Sequence, residues 1–560
     1  MLPPAIRRMR QHFFPALVLS LLIALTLGCG SGSAHTEPAQ TAFPAATVPL
    51  TKLSSDPYTN STSQHATEVE PDTFAFGSTI VTAFQVGRIH GGGASDIGFA
   101  TSTDAGTTWN SGFLPGITTF QDGGTFTAAS DASVAYDAAH GMWLIASLGL
   151  NPPGPAKVLV TRSPDAINWG NPITVTTTGD ADKNWIVCDN NSTSQFYGHC
   201  YIEWDDVSSG DLVKMNTSAD GGLTWGSALS TADGAHGIGG QPLVQPDGKV
   251  IVPIAGGVFG SMLAFSSSDG GASWSSAVTV SSITDHTEAG HLRSGPIPSA
   301  EIDANGTVYV VWADCRFRTN CSSNDLVLST SADGGTWTKP ARIPIDPTTS
   351  TVDHFIPGLA ADPATSGSSA HLTLTYYYYL VSNCGTVCQM GVAFVSSQDG
   401  GQTWSAPVEL AGPMSTSWLP NTFSGLMVAD SSRPRMLTGT RSPYLLWPKL
   451  LLVARLMKPC TRPQARSPQR LTLPASAPGM SGQSPMPSPI TDQRTSMTWI
   501  MSTPSRRRKI PETLSQEMIQ SFRRSSSVDG FGTERLRVVE SAMAMGPRSL
   551  KRWPDTNRFF

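Results

Sequence analysis

Between residues 35 and 430 the chain carries six arginines, at positions 88, 162, 293, 316, 318 and 342. A guanidinium can grip a carboxylate through two parallel hydrogen bonds. Arg316 and Arg318 lie between Asp314 and Asp325, which could equally neutralise them. Arg162 and Arg342 flank turns and are expected to face solvent. A run of four tyrosines, Tyr376 to Tyr379, offers phenols, although its alternate rings also suit packing between sheets. Asp353 beside His354 reads as an acid/base pair or as local turn chemistry. Glu70, Asp72, Asp205, Asp206 and Asp353 offer the oxygen ligands that Ca²⁺ takes, but no contiguous calcium loop accompanies them. No His/Cys group has zinc-like spacing, so no metal site is assigned and no cofactor is called for.

These residues need elements to position them, and the elements repeat. The pattern Ser-x-Asp-x-Gly-x-(Thr/Ser)-Trp occurs at Ser102–Trp109, Ser218–Trp225, Ser267–Trp274 and Ser397–Trp404. Shortened copies stand at Ser163–Trp169 and Ser331–Trp337. A loose period of this kind marks one supersecondary unit copied in series. Each copy reads as a turn. The aspartate accepts hydrogen bonds from its own loop, the glycines supply positive φ, and the tryptophan offers an apolar face to the next unit. Apolar runs flank the copies, so each is expected to join the outer two strands of a four-stranded blade. Ahead of a copy lies a second strand pair, as in Pro298 to Trp312 around the Asn305-Gly306 turn. Ser133–Ser147, Asn184–Trp204, Gln241–Ile254 and Pro357–Tyr379 read the same way.

Six such units predict an all-β fold, a six-bladed β-propeller with seven blades as the alternative. In a propeller the innermost strands all run one way along the central channel. The loops entering each first strand and leaving each second strand therefore open on one face. That face collects Glu70, Asp72 and Arg88, then Asp182, Lys183, Trp185, Asp205 and Asp206. It also collects Glu301, Asp314, Arg316 and Arg318, then Asp353, His354, Tyr378 and Tyr379. Trp185, Asp205, Glu301, Asp353 and His354 are the candidate substrate-binding residues.

The repeated turn resembles the Asp-box, or BNR repeat, and residues 65–430 resemble the sialidase (neuraminidase) superfamily of β-propellers. In that family the boxes lie on the rim and hold blades together, far from substrate. The resemblance implies a glycan or glycoconjugate as partner and exo-α-sialidase-type glycoside hydrolysis. Three arginines would clamp the substrate carboxylate, and a glutamate-activated tyrosine would serve as nucleophile. An aspartic acid would protonate the leaving group or position water. Carried onto this chain, Phe84 to Arg88 resembles the strand end bearing a pocket arginine, Arg316 or Arg318 could supply a second, Tyr379 the nucleophile and Asp96 the acid. The family's Phe/Tyr-Arg-Ile-Pro motif is missing. Glu68-Val69-Glu70-Pro71-Asp72 stands in its place and would repel an anionic sugar. The competing reading is a non-catalytic surface propeller that binds carbohydrate or protein.

Charge divides the chain. Residues 35–430 hold 12 Lys+Arg against 35 Asp+Glu, whereas residues 431–560 hold 22 against 7. An acidic body excludes the basic face that nucleic acid demands. Arg7, Arg8 and Arg10 precede an apolar stretch from Phe13 to Leu27, a pattern of an export signal. It ends in Leu25-Thr26-Leu27-Gly28-Cys29, which resembles a bacterial lipobox with Cys29 as the lipidated residue. The expected protein is a monomer, either anchored to the membrane by that lipid alone or secreted. Residues 30–64 read as a flexible linker. Export fits three sequence-local cysteine pairs, Cys188/Cys200, Cys315/Cys321 and Cys384/Cys388, as disulfides. After Asp430 the composition turns to Arg, Ser, Pro and Met with no further box. A change of reading frame near residue 430 and a basic extension are the two readings, and both predict disorder.

Overall fold

The computed structural model describes residues 44, 48 and 50–430; the expected lipidation site Cys29 and the basic tail lie outside the described residues. Strands dominate, and no α-helix occurs among the described residues. Six antiparallel meanders succeed one another. The first is β1 (Glu68–Phe76), β2 (Thr79–Arg88), β3 (Ala94–Ser102) and β4 (Asn110–Phe113). The second is β5 (Ala128–Asp137), β6 (Met142–Leu150), β7 (Lys157–Ser163) and β8 (Ile173–Thr174). The third has β9 (Ala181–Cys188), β10 (Cys200–Asp206) and β11 (Leu212–Ser218), with isolated Met215–Leu229 and Leu212–His236 bridges in the fourth place. In the fourth, β12 (Gly237–Ile238) and β13 (Leu243–Val244) both pair with β14 (Val250–Gly256), followed by β15 (Ser261–Ser267) and β16 (Val278–Ser282). The fifth is β17 (Ser299–Ile302), β18 (Val308–Asp314), β19 (Asp325–Ser331) and β20 (Ala341–Arg342). The sixth is β21 (Asp353–Ala361), β22 (Leu372–Tyr379), β23 (Gln389–Ser397) and β24 (Val408–Ser415). A small hairpin, β25 (Asn421–Thr422) and β26 (Gly425–Leu426), ends the described chain.

Both faces of most sheets are covered, so the second strands read as nearly unbroken apolar runs. In β18, Val308, Val310 and Trp312 pack toward the fourth meander, while Tyr309, Val311 and Ala313 pack toward the sixth. That is the period of two expected of a pleated strand. Separate apolar clusters likewise join the first meander to the second, the second to the third and the third to the fourth. The tyrosine run obeys the same rule. Tyr376 and Tyr378 face the fifth meander, and Tyr377 and Tyr379 face Val428 and Ala429 of the terminal segment.

Each of the six Ser-x-Asp copies begins at the end of a meander's third strand and turns the chain back along that strand. Around Asp220, the Thr224 N–H and hydroxyl donate at 2.9 and 2.6 Å, and the Ser218 hydroxyl donates at 2.9 Å while accepting the Gly222 N–H at 3.0 Å. Such bonds hold the exposed Asp399 at about 2, the Thr403 hydroxyl being the largest cause. The tryptophans pack on the preceding meander rather than the following one: Trp169 meets Phe99, and Trp274 meets Tyr201 edge-on. Close approach fixes a glycine here, since a Cβ on Gly222 (φ +74°) would sit 2.9 Å from Leu144 of the second meander. Arg162 is also drawn in, its Nε donating to the Gly221 carbonyl at 2.7 Å instead of facing solvent.

Four pairs of successive meanders, the first with the second, the second with the third, the fourth with the fifth and the fifth with the sixth, are linked by side chains that accept a backbone N–H from the next meander. Val134 donates to Asp72 at 2.7 Å, Ile186 to Ser133 at 3.1 Å, Ala300 to Gln241 at 2.9 Å and Leu359 to Ser299 at 2.9 Å. Glu70 N–H donates to the Val428 carbonyl at 3.2 Å, so the terminal segment reaches back to the first strand. Two residues before Asp72 and Ser133 the strand bulges, and Glu70 (φ 53°) and Asp131 (φ 49°) take the left-handed conformation. Lys183 (φ 45°), Gly239 (φ 70°) and Ile356 (φ 48°) occupy the equivalent places in the third, fourth and sixth meanders. A left-handed residue with a side chain costs on the order of 1 kcal/mol or more and persists only where its surroundings hold it.

Candidate functional site

The bulges aim three charged side chains at one another. Lys183 Nζ lies 2.7 Å from Glu70 Oε1, 2.9 Å from Asp131 Oδ1 and 2.6 Å from Asp430 Oδ2. Arg293, from the link between the fourth and fifth meanders, reaches the same Asp430 oxygen at 2.6 Å. Gln85 on β2 donates to Glu70 and, at 3.2 Å, to Ser130. Arg88 donates to Gln85 Oε1 at 3.1 Å and to the Gly93 carbonyl at 2.5 Å. Beside this cluster a narrow cleft of about 20 Å³, room for a water molecule, is lined by Glu70, Asp131, Lys183, Asn184, Trp185 and Gly239, among others.

Burial and charge set the protonation of this cluster. Burial pushes Glu70 up to about 8, against the pull of Lys183, so the carboxyl is protonated at neutral pH. Asp430 moves the other way: burial opposes ionisation, but Arg293 and Lys183 hold it well below the usual carboxylate range. Burial also opposes the Lys183 ammonium, and Asp131, Asp430 and Glu70 outweigh it. Asp182 rises to about 6, by burial and then by Asp131. Asp205 on β10 rises well above its ordinary value, again by burial first, with Asp182 and Glu203 adding to it. Both Asp205 oxygens and both polar atoms of Asn184 lack a hydrogen-bond partner. The cleft thus combines one indole, a neutral acid, buried amide and carboxyl groups, and an ammonium already shared among that acid and two carboxylates.

The other nominated residues fall into separate constellations. Arg316 folds back on Asp314, with Nε and Nη2 at 2.9 and 2.6 Å, and also donates to Ser281 and Ser282. Arg318 is buried and bridges Asp325 and Asp346 at 2.6 and 2.7 Å. Arg342 joins the same two carboxylates at 2.8 and 2.6 Å, so it is an inner ion pair and not a solvent-facing turn residue. His354 lies against this group, its Nδ1 on the Asn324 carbonyl at 3.1 Å, and burial lowers its pKa. Its neighbour Asp353 turns to the opposite side, accepting the Asn324 N–H at 2.6 Å and pairing with His286 at 3.2 Å. Tyr379 is fully buried, and its hydroxyl donates to the Ala289 carbonyl at 3.3 Å. Burial, then Glu288 and Asp353, raise that phenol further. Asp96 lies within β3 under the Tyr58 hydroxyl, 3.1 Å away, and burial lifts it to about 8. Glu301 is buried on β17, opposite Tyr309.

Arg88, Arg316 and Arg318 therefore have no hydrogen-bond partner in common. Of the nominated set, Trp185 lines the cleft, Asp205 lies on the strand paired with its wall, and Arg88 adjoins it through Gln85. Sequence reasoning placed Glu70 at the mouth as a carboxylate and Lys183 there without a role, counted Arg293 without placing it at the mouth, and missed Asp131 and Asp430. A usable signal for Asp131 was its place two residues before Ser133, matching Glu70 before Asp72. The six predicted cysteines form disulfides: Cys188–Cys200, Cys315–Cys321 and Cys384–Cys388 have S–S distances of 2.04, 1.94 and 2.01 Å. No helix among the described residues is long and apolar enough to cross a membrane.

No protein-family model matches the chain, and no curated protein matches it. Solved structures do align. A leech intramolecular trans-sialidase shares 13% identity over 55% of this chain and 64% of its own, with a TM-score of 0.38. The Hadza microbial sialidase Hz136 shares 17% over 62% and 66%, with a TM-score of 0.36. A protein of unknown function from Dyadobacter fermentans shares 15% over 63% of this chain and 99% of its own, with a TM-score of 0.40. The chain spans slightly under two thirds of the length of the two sialidases. At these scores the likeness assigns no activity.

Proposed function

We propose that the six meanders are the blades of an exported, sialidase-type β-propeller whose hub cleft binds an uncharged region of a glycan. The chain-ordered bonds between first strands support the ring, and the six Ser-x-Asp loops support its Asp-box character. The observation that carries the binding reading is the cleft, where Glu70, Asp131 and Asn184 gather as hydroxyl partners beside the largely buried Trp185. The neutral Glu70 and the internally paired Lys183 leave little net charge to attract an anion. Export, with or without a lipid on Cys29, agrees with the three disulfides.

Titration calorimetry with neutral and acidic oligosaccharides tests this. A neutral glycan should bind, and Trp185→Ala should weaken it by about tenfold or more. A protein that binds no glycan sinks the reading. Hydrolysis is the second reading; it rests on the resemblance of the Ser-x-Asp repeats, and the burial of Tyr379 with the charges of Glu288 and Asp353 works against a phenolate there. Turnover of a fluorogenic sialoside that disappears in both Tyr379→Phe and Arg88→Ala would establish it; its absence leaves binding alone.

A further inference from the structure

We propose that Asp430 is a specificity-determining residue: its carboxylate fills an anion receptor built by Lys183 and Arg293, and so closes the hub to acidic sugars. This rests on the hub as the ligand site. One Asp430 oxygen lies 2.6 Å from both Lys183 Nζ and Arg293 Nη2, as a ligand carboxylate would between two cations. Both cations have holds besides the group between them. Lys183 is set by its bulge and by Glu70 and Asp131. The Arg293 backbone is set by its N–H donating to the Leu426 carbonyl at 2.7 Å, with Leu426 N–H donating to His291 at 2.8 Å, and its Nη1 contacts Met427 Sδ at 3.7 Å. Asp430 arrives on a strap that crosses from the sixth meander to the first. Phe423 N–H donates to the His90 carbonyl at 3.2 Å, Asn421 N–H to Gln64 Oε1 at 2.7 Å, and Val428 and Ala429 are buried against Tyr377 and Tyr379. The strap is thereby held without help from the Asp430 side chain. Lys183 also lines the narrow cleft, which brings one of the two cations to a path from solvent.

Removing the charge should convert the site. In Asp430→Asn, glucuronate and N-acetylneuraminate should bind at least tenfold more tightly than to the wild type, and Arg293→Met in the same chain should abolish the gain. Asp430→Gly gives an arm that does not need a stable variant. Formate should raise its melting temperature in a saturable way, while chloride at equal ionic strength and a neutral sugar should not. Folded Asp430→Asn with no gain for either acid, or Asp430→Gly with no saturable response to formate, overturns the proposal. These readouts are separate from the neutral-glycan titration. Failure of that titration with formate rescue intact removes the glycan reading but not the receptor, and the converse removes the receptor alone.

Discussion

At the scale of single residues, the Ser-x-Asp loops and the cluster around Lys183 solve opposite electrostatic problems. Asp104 and its counterparts are near solvent and are kept ionised by hydrogen bonds from their own loop, the Thr108 N–H and hydroxyl holding Asp104 at about 2. Glu70 is buried beside other carboxylates and is kept neutral. Ser218 connects the loop aspartate to a buried N–H, so Ser218→Ala leaves the Gly222 donor unmatched. The expected cost is about 1–2 kcal/mol, readable as a lower urea midpoint at unchanged slope. An unchanged midpoint would mean that water replaces the hydroxyl. The loop residues were legible in the sequence because their chemistry is local: Ser, Asp, Gly, Thr and Trp interact within eight positions. The cluster was not, because Asp131, Lys183, Arg293 and Asp430 meet only after four separate segments are brought together.

At the scale of elements, strand placement was legible and side-chain direction was less so. The pairs read from apolar runs and the Asn305-Gly306 turn appear as β5/β6, β9/β10, β17/β18 and β21/β22. The bulges were invisible, because Glu70-Pro71, Asp131-Ala132 and Lys183-Asn184 share no residue type, only a register against the second strand. Missing them hid which residue of each first strand points to the ligand. The expected arginine clamp failed to assemble for a related reason: Arg316 and Arg318 lie in a loop rich in carboxylates, and the nearest ones took them. The Cys188–Cys200 disulfide ties β9 to β10 at the end of the pair away from the Lys183 bulge, closing a 12-residue separation. Cys188→Ser with Cys200→Ser should cost about 3 kcal/mol by the loop-entropy argument. A urea series on the double variant, beside the wild type under reductant, checks this; equal stability of variant and oxidised wild type would discard it.

At the scale of the whole molecule, buried carboxyls outnumber the cations that could ionise them. Burial is the leading cause that lifts Glu70, Asp96 and Glu288 to about 8, Glu68 and Glu409 to about 7, and Asp182 and Asp285 to about 6. Each of these groups holds its proton more tightly folded than unfolded. Its contribution is therefore complete below the ordinary values of 3.8 and 4.5 and is lost as pH rises through 6 to 8. The loop aspartates work in the other sense, contributing above 3.8 and failing as pH falls toward 2. Melting temperature should peak in mildly acidic buffer and fall between about pH 5 and pH 8, and Glu70→Gln should flatten part of that fall. A profile that climbs from pH 5 to pH 8 would contradict the assignment of these acids as neutral. The bulged first strands carry a consequence for descent. Glu70, Asp131, Lys183, Gly239 and Ile356 stand at one repeated backbone position, remote from the loops that keep the sheets together. A lineage can respell those few letters one at a time, and so change diet, while its architecture stays untouched.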